Sequence, residues 1–223
     1  MPNLIEQGVI AAATPASIRA TLQRSAPRTV AEWRELRRAW SHALRSHPAH
    51  DVIRLATALV DDGFWGRVTA YELVADHPGA RTALTPASIR RLGRGLADWA
   101  SVDTFACCLA GPAWRDGRLP TRQIHAWLRS KNRWERRAAV VCTVALNVRA
   151  RGGRGDAART LDVCRRVVTD SDDMVVKALS WALRSLVAWD REAVMSFLAA
   201  HEHALPGRVK REVGTKLRTG RKN

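Results

Sequence analysis

Tyr, Phe and strand-forming patterns are scarce, although the chain has nine Trp. The 223 residues include one Tyr and three Phe. β-Branched alternation is sparse, and no hairpin turn joins two alternating runs, which argues against a β-rich fold. Long apolar runs are missing too. The longest, such as "AAVVCTVAL" (138–146), fall far short of the roughly 20 residues that span a bilayer. The N-terminal "MPNLIEQGVIAAATPAS" has no basic stretch ahead of an apolar one and carries Glu6 early, so a signal peptide is not expected. Cysteine is limited to Cys107, Cys108, Cys142 and Cys164, with no CxxC, all inside apolar patterns. They read as buried thiols of a reducing compartment. His201 and His203 are too close in sequence to share a helix face, and no spacing completes a metal site. No metal or cofactor is expected.

Acidic residues are also short, at 21 Asp and Glu against 37 Lys and Arg, leaving a net charge of +16 and a pI near 11.3. Only five of the 37 are Lys. A GC-rich genome gives such a ratio, so the ratio itself carries little. The excess carries more: a basic chain without membrane spans most often binds nucleic acid. The segment "GRVKREVGTKLRTGRKN" concentrates it, with seven basic residues against Glu212.

What is abundant is helix. Hydrophobic residues make up 46% of the chain, too many for disorder, and Ala, Leu, Arg and Glu recur at 3–4 spacing. "TPASIR" occurs twice (14–19 and 85–90), each time placing a Thr N-cap before a Pro at the first helical position. Stops stand at "HPGAR" (77–81) and "RGGRGD" (151–156). Large apolar residues open similar helices at Phe64, Trp99, Trp134 and Met174, at steps of 35, 35 and 40. Shorter helices lie between them in "TPASIRRLGRGLA", "TRQIHAWLR" and "DAARTLDVCRRVV". The expected fold is all-α: an α-α superhelix of HEAT-like or armadillo-type repeats. The whole chain reads as one such domain, with a divergent helical cap over 1–60, repeats over 61–218 and a basic tail over 219–223.

The inner layer of that solenoid would be helices 64–75, 99–110, 134–148 and 174–189. Their first turns would align Arg67, Trp99 with Asp103, Arg137, and Lys177 with Trp181. That row is a concave basic groove with aromatic rings and a single carboxylate, suited to a nucleic-acid backbone. Trp127, Trp134 and Trp189 read as packing between helices, and Trp114 as a loop anchor. Trp33 and Trp40 sit in the Arg-rich "AEWRELRRAWSHALR" and stay undecided between packing and backbone contact. Trp181 stands apart, because Lys177, Trp181 and Arg184 share one face and a core stripe is not flanked by two cations. Trp99 and Asp103 likewise share a face. The bland alternative for Asp103 is a surface acid paired with a neighbouring Arg.

Three segments taken together, "DWASVD" (98–103), "NRWERRAAVV" (132–141) and "VVKALSWALR" (175–184), resemble bacterial HEAT-like-repeat DNA alkylation repair glycosylases, the AlkD family. Their order and separations agree with that family's Trp-Asp-x-Val-Asp, W-x-x-R-A-A and K-A-(I/L)-x-W-x-L-R helices. "LPGRVKREVGTKL" (205–217) resembles its closing helix. The likeness runs from about Phe64 to Leu217. It implies excision of cationic N3- and N7-alkylated purines, such as 3-methyladenine and 7-methylguanine, from duplex DNA, without a metal. It also implies approach from the sugar-phosphate side rather than by base flipping. On this resemblance Asp103 is the catalytic carboxylate, Trp99 and Trp181 press on the lesion's deoxyribose, and Arg137 supports the groove. Arg67, Arg136, Lys177, Arg184, Arg208, Lys210 and Arg211 would contact the DNA backbone. The implied protein is a monomer acting in the bacterial cytoplasm at the nucleoid. Two departures stand out: Ala100 replaces the first Asp of the motif, and the family's "FxGV…P…R" entry is absent from residues 1–60. Two further classes share the helical reading: a DNA-binding repeat protein without excision, and a HEAT-type protein–protein scaffold.

Overall fold

A computed structural model describes residues 13–24 and 29–221. Residues 1–12 of the N-terminal segment considered above and the last two residues of the basic tail lie outside the described residues. Among the described residues every regular element is helical, in agreement with the all-α helical-repeat expectation. No helix there is long and apolar enough to cross a membrane. The chain divides into two compact units, 1–95 and 96–223.

The first unit carries α1 (Pro15–Arg24), α2 (Val30–Leu44), α3 (Ala49–Leu59), α4 (Gly63–Asp76) and α5 (Pro86–Leu92). Both "TPASIR" copies start a helix as expected. In each, the Thr hydroxyl accepts from the Ser amide three residues on, and that Ser hydroxyl accepts from the Thr amide, at 3.1 and 3.0 Å for Thr14 and Ser17 and 3.2 and 2.9 Å for Thr85 and Ser88. This reciprocal pairing satisfies two amides that a helix start leaves open. Helix α4 packs on α2 and α3. Trp33 and Trp40 are buried, which decides for packing over backbone contact. The Trp33 indole N–H donates to Thr69 Oγ1 at 2.9 Å.

The second unit runs through α6 (Trp99–Phe105), a π-helical segment (Ala106–Ala110), α7 (Gly111–Arg115), α8 (Thr121–Leu128), α9 (Arg133–Cys142), α10 (Val144–Asn147), α11 (Ala157–Arg166), α12 (Asp173–Leu186), α13 (Arg191–Ala200) and α14 (Gly207–Thr219). Helices α6, α9, α12 and α14 pack on one another in that order, with α8, α11 and α13 set against them as the alternate layer. This is the pairing that a 35–40-residue period requires. Cys107, Cys142 and Cys164 are buried free thiols, while Cys108 is half-buried and its sulfur accepts from Arg151 at 3.2 Å.

Two tryptophans, Trp114 and Trp134, differ from expectation. Trp114 is not in a loop: it is buried in α7, where its indole donates to Thr121 Oγ1 at 3.0 Å. Proline tolerates a first helical turn, so "GPAWR" continues the helix rather than ending it. Trp134 and Trp189 are only half-buried. Each has its ring covered by an arginine, Arg133 and Arg149, both 4.8 Å from the ring centroid. Trp127 is buried and meets Phe105 edge-on at 5.9 Å.

The close approach of α7 to α9 and α10 depends on Gly111. A Cβ there would lie 2.6 Å from Ala106 O, 2.7 Å from Ala145 Cβ and 2.8 Å from Cys142 O. Two of those atoms are rigid backbone, so the clash cannot be relieved by a rotamer change. An exposed helical Gly→Ala change normally gains about 1 kcal/mol. Gly111→Ala should instead lower stability by about 1–3 kcal/mol through overpacking, read as a fall in the urea midpoint at unchanged m-value.

Candidate nucleic-acid interface and active site

An open cleft of about 470 Å³ in the second unit is lined by Trp99, Asp103, Arg137, Lys177, Trp181, Arg184, Arg208 and Glu212. Four inner helices supply it: α6, α9, α12 and α14. It brings together all four residues expected to be catalytic.

Helix α6 begins at Trp99 because Asp98 caps it, its carboxylate accepting from the Ser101 amide at 2.8 Å and hydroxyl at 2.6 Å. Trp99 is 59% exposed, an unusual position for so large an apolar side chain. One turn on, Asp103 faces the cleft. Ala100 holds no acid there; its carbonyl accepts the Thr104 hydroxyl at 2.8 Å.

Arg137 on α9 is 6% exposed. Its Nε and Nη2 donate to the two Asp103 oxygens at 2.9 and 2.7 Å, and its Nη1 donates to Met174 O at 2.6 Å. The bidentate fork fits a planar carboxylate. The apolar stripe Ala138–Cys142 buries the helix behind it, so the guanidinium has one way out, sideways to α6 and α12. Burial pushes the Asp103 carboxyl above its ordinary value, and the Arg137 hydrogen bonds and charge pull it back. A carboxylate offers about four lone-pair sites. Arg137 takes two, and the others remain for the cleft.

The single-carboxylate expectation needs correction. Glu212 also lines the cleft, accepting from Ser180 Oγ at 2.6 Å and lying 3.7 Å from both Arg184 and Arg208. Asp173 pairs with Lys177 at 2.6 Å and with Arg208 at 3.7 Å. The Lys177 hydrogen bond holds the Asp173 carboxyl below its ordinary value. Sequence reading missed Glu212 because it stood as one acid in a strongly basic helix. Its spacing of four from Arg208 was the available signal. Burial lowers the Arg184 pKa, opposed by Glu212.

The other expected backbone contacts fall elsewhere. Arg136 is committed to structure, donating to Asp170 at 2.6 Å and to Ser130 O and Lys131 O at 3.0 and 3.1 Å. Arg67 belongs to the first unit, where it donates to Arg94 O at 2.7 Å and Tyr71 Oη at 3.4 Å. Lys210 donates to Glu202 O at 3.1 Å, and Arg211 is exposed on α14. Among the described residues no group of three His, Cys, Asp or Glu could hold a metal ion.

The cleft thus joins an acid held by an arginine with two tryptophans and several cations. The profile of the DNA alkylation repair enzymes fits residues 28–217. The chain belongs to that family. No curated protein and no solved structure matches it. Membership in a DNA alkylation repair family makes DNA the substrate class, and extends the likeness read in the sequence upstream from Phe64 to residue 28.

Arg137→Ala would leave Asp103 buried with no partner. It should cost about 3 kcal/mol, toward the low end for broken buried pairs because Asp103 keeps 17% side-chain exposure. Adding Asp103→Ala should restore part of the loss. A double-mutant cycle by urea denaturation measures the coupling.

Proposed function

We propose that this DNA alkylation repair enzyme is a monofunctional DNA glycosylase that hydrolyses the N-glycosidic bond of cationic N3- or N7-alkylated purines in duplex DNA. The observation that carries the reading is the Asp103 carboxylate fixed by Arg137 in a cleft that Trp99 and Trp181 also line. Cleavage develops positive charge on C1′ and the ring oxygen of the sugar. A pre-oriented carboxylate in a partly dry site stabilises that charge without reorganising. Its free lone pairs can also orient the attacking water and receive its proton. Ordinary glycosidases need a second carboxyl to protonate the leaving group. An alkylated purine already carries its positive charge and leaves neutral, so Asp103 has no acid partner to find.

Glu212 does not serve as that acid: its carboxylate is taken up by the Ser180 hydroxyl and by Arg184 and Arg208. The tryptophan faces present negative quadrupoles to a sugar gaining positive charge. Lys177, Arg184 and Arg208 hold phosphates, giving affinity rather than base choice. Entry from the sugar-phosphate side, without base flipping, suits an exposed Trp99 and an open cleft. The reading also places the protein as a monomer in the cytoplasm.

The test is release of 7-methylguanine or 3-methyladenine from duplex DNA, scored as free base and abasic sites. Wild type should release base, and Asp103→Asn should lower the single-turnover rate by about 10²–10³ while still binding DNA. Binding without release by wild type would favour the non-catalytic alternative that Ala100 suggests. Asp103 must be ionised to act, and burial raises its pKa. Enzyme-dependent release should therefore fall as pH drops through a value above the 3.8 of an ordinary aspartate, read from the acid limb of the single-turnover rate after subtracting spontaneous depurination.

A further inference from the structure

A second cleft, of about 510 Å³, opens beside the first and shares Trp181 and Arg184 with it. Its other walls include Arg149, Trp189 and Lys216. The two clefts differ in charge. In the first, Asp103 and Glu212 offset the cations. In a third, between Arg115 and Arg159, Asp116 and Asp156 do the same. The second cleft has Arg149, Arg184 and Lys216, and no carboxylate among its lining residues. Glu212 meets Arg184 from the side of the first cleft. Cations gathered around a concave surface without an acid in its walls call for an anion.

The aromatic component narrows the anion. Trp189 is anchored: its indole N–H donates to Asn147 O, and its ring packs on Gly155, where a Cβ would come within 2.9 Å of the ring atoms. Arg149 lies over that ring at 4.8 Å. Two tryptophans therefore stand in the walls, with three cations around them. Cations for a phosphate beside indole faces for a sugar or base form the binding chemistry of a nucleotide unit in a chain. Trp181 and Arg184 sit on the same face of α12, a turn apart, so a strand laid across the first cleft passes directly into the second.

We propose that this second cleft is a DNA subsite that grips the backbone phosphate of a nucleotide flanking the lesion, through Arg149 and Lys216. The inference rests on the DNA-binding part of the proposed function but not on excision. It assigns Arg149, Lys216 and Trp189 to substrate positioning, a role that neither their sequence pattern nor the three-helix likeness suggested.

The experiment is a scan with single methylphosphonates, which remove one phosphate charge at a time, around an abasic-site analogue in a short duplex. Wild type should lose affinity at several flanking positions. The double variant Arg149→Ala/Lys216→Ala should become insensitive at one of them, and its salt slope should fall by about 0.9, the value of one phosphate contact. Arg122→Ala, which removes an exposed charge on α8, serves as the control and should leave the scan unchanged. If the double variant keeps every position that wild type shows, or changes no more than Arg122→Ala, the subsite is refuted. Failure of wild type to excise, with one position silenced in the double variant, would sink the glycosylase reading and leave the subsite standing. Excision with no position silenced would do the reverse. Circular dichroism of the double variant should match wild type, and its urea midpoint should fall only slightly, from loss of the cation over Trp189 and of the Lys216 bond to Gly220 O.

Discussion

One guanidinium joins three helices. Arg137 grows from α9, forks onto Asp103 of α6, and reaches the carbonyl of Met174 at the start of α12. Its burial means that each contact replaces solvation it has lost, so the three helices can shift only together or at a cost. The same contact sets the position of the carboxylate. The bond that fixes the repeat stack at this point is thus the bond that orients the candidate catalytic group, and the two roles cannot be separated by a single substitution.

The charges around the cleft obey the same economy of partners. Lys177, Arg184 and Arg208 sit close to one another and would repel, but Asp173 and Glu212 stand between them. On the proposed DNA contact, phosphate oxygens would displace these carboxylates, so that binding would exchange one set of anions for another rather than create charge pairs from water. The neighbouring cleft has no such acid among its lining residues, so a phosphate proposed there would have no carboxylate to displace.

Much of this architecture was legible in the chain. The two "TPASIR" segments specify their own caps, because Thr and Ser at that spacing satisfy each other's amides. The 35–40-residue steps gave the helix pairing, and the Trp99–Asp103 and Lys177–Trp181–Arg184 faces gave most of the cleft. What stayed hidden was long-range. Glu212 is distant in sequence from Ser180 and looked like a lone acid in a basic helix. The cation over Trp189 comes from Arg149, in the short connection between α10 and α11. Arg136 and Arg137 are adjacent and chemically identical, and only the direction each leaves α9 sends one to Asp170 and the other to Asp103. Trp114 was misplaced for a local reason: "GP" stands where a helix commonly breaks, but the π-helical turn before Pro112 carries the helical run past it.

The π segment links fold to site. Ala106–Ala110 comes directly after α6 and adds a residue's worth of turn before α7. π-Bulges recur at functional sites, and the extra residue rotates the two flanking helical segments relative to each other. Here the helix behind the bulge is pinned against α9 and α10 by the close fit at Gly111, while the helix ahead must present Trp99 to solvent and Asp103 to Arg137. A regular α-helix from 99 to 115 would carry one register throughout, and satisfying the Gly111 contact would turn Trp99 and Asp103 away by about 100°. The irregular turn resolves that conflict, which is why the exposed indole and the buried glycine can belong to one continuous helical run.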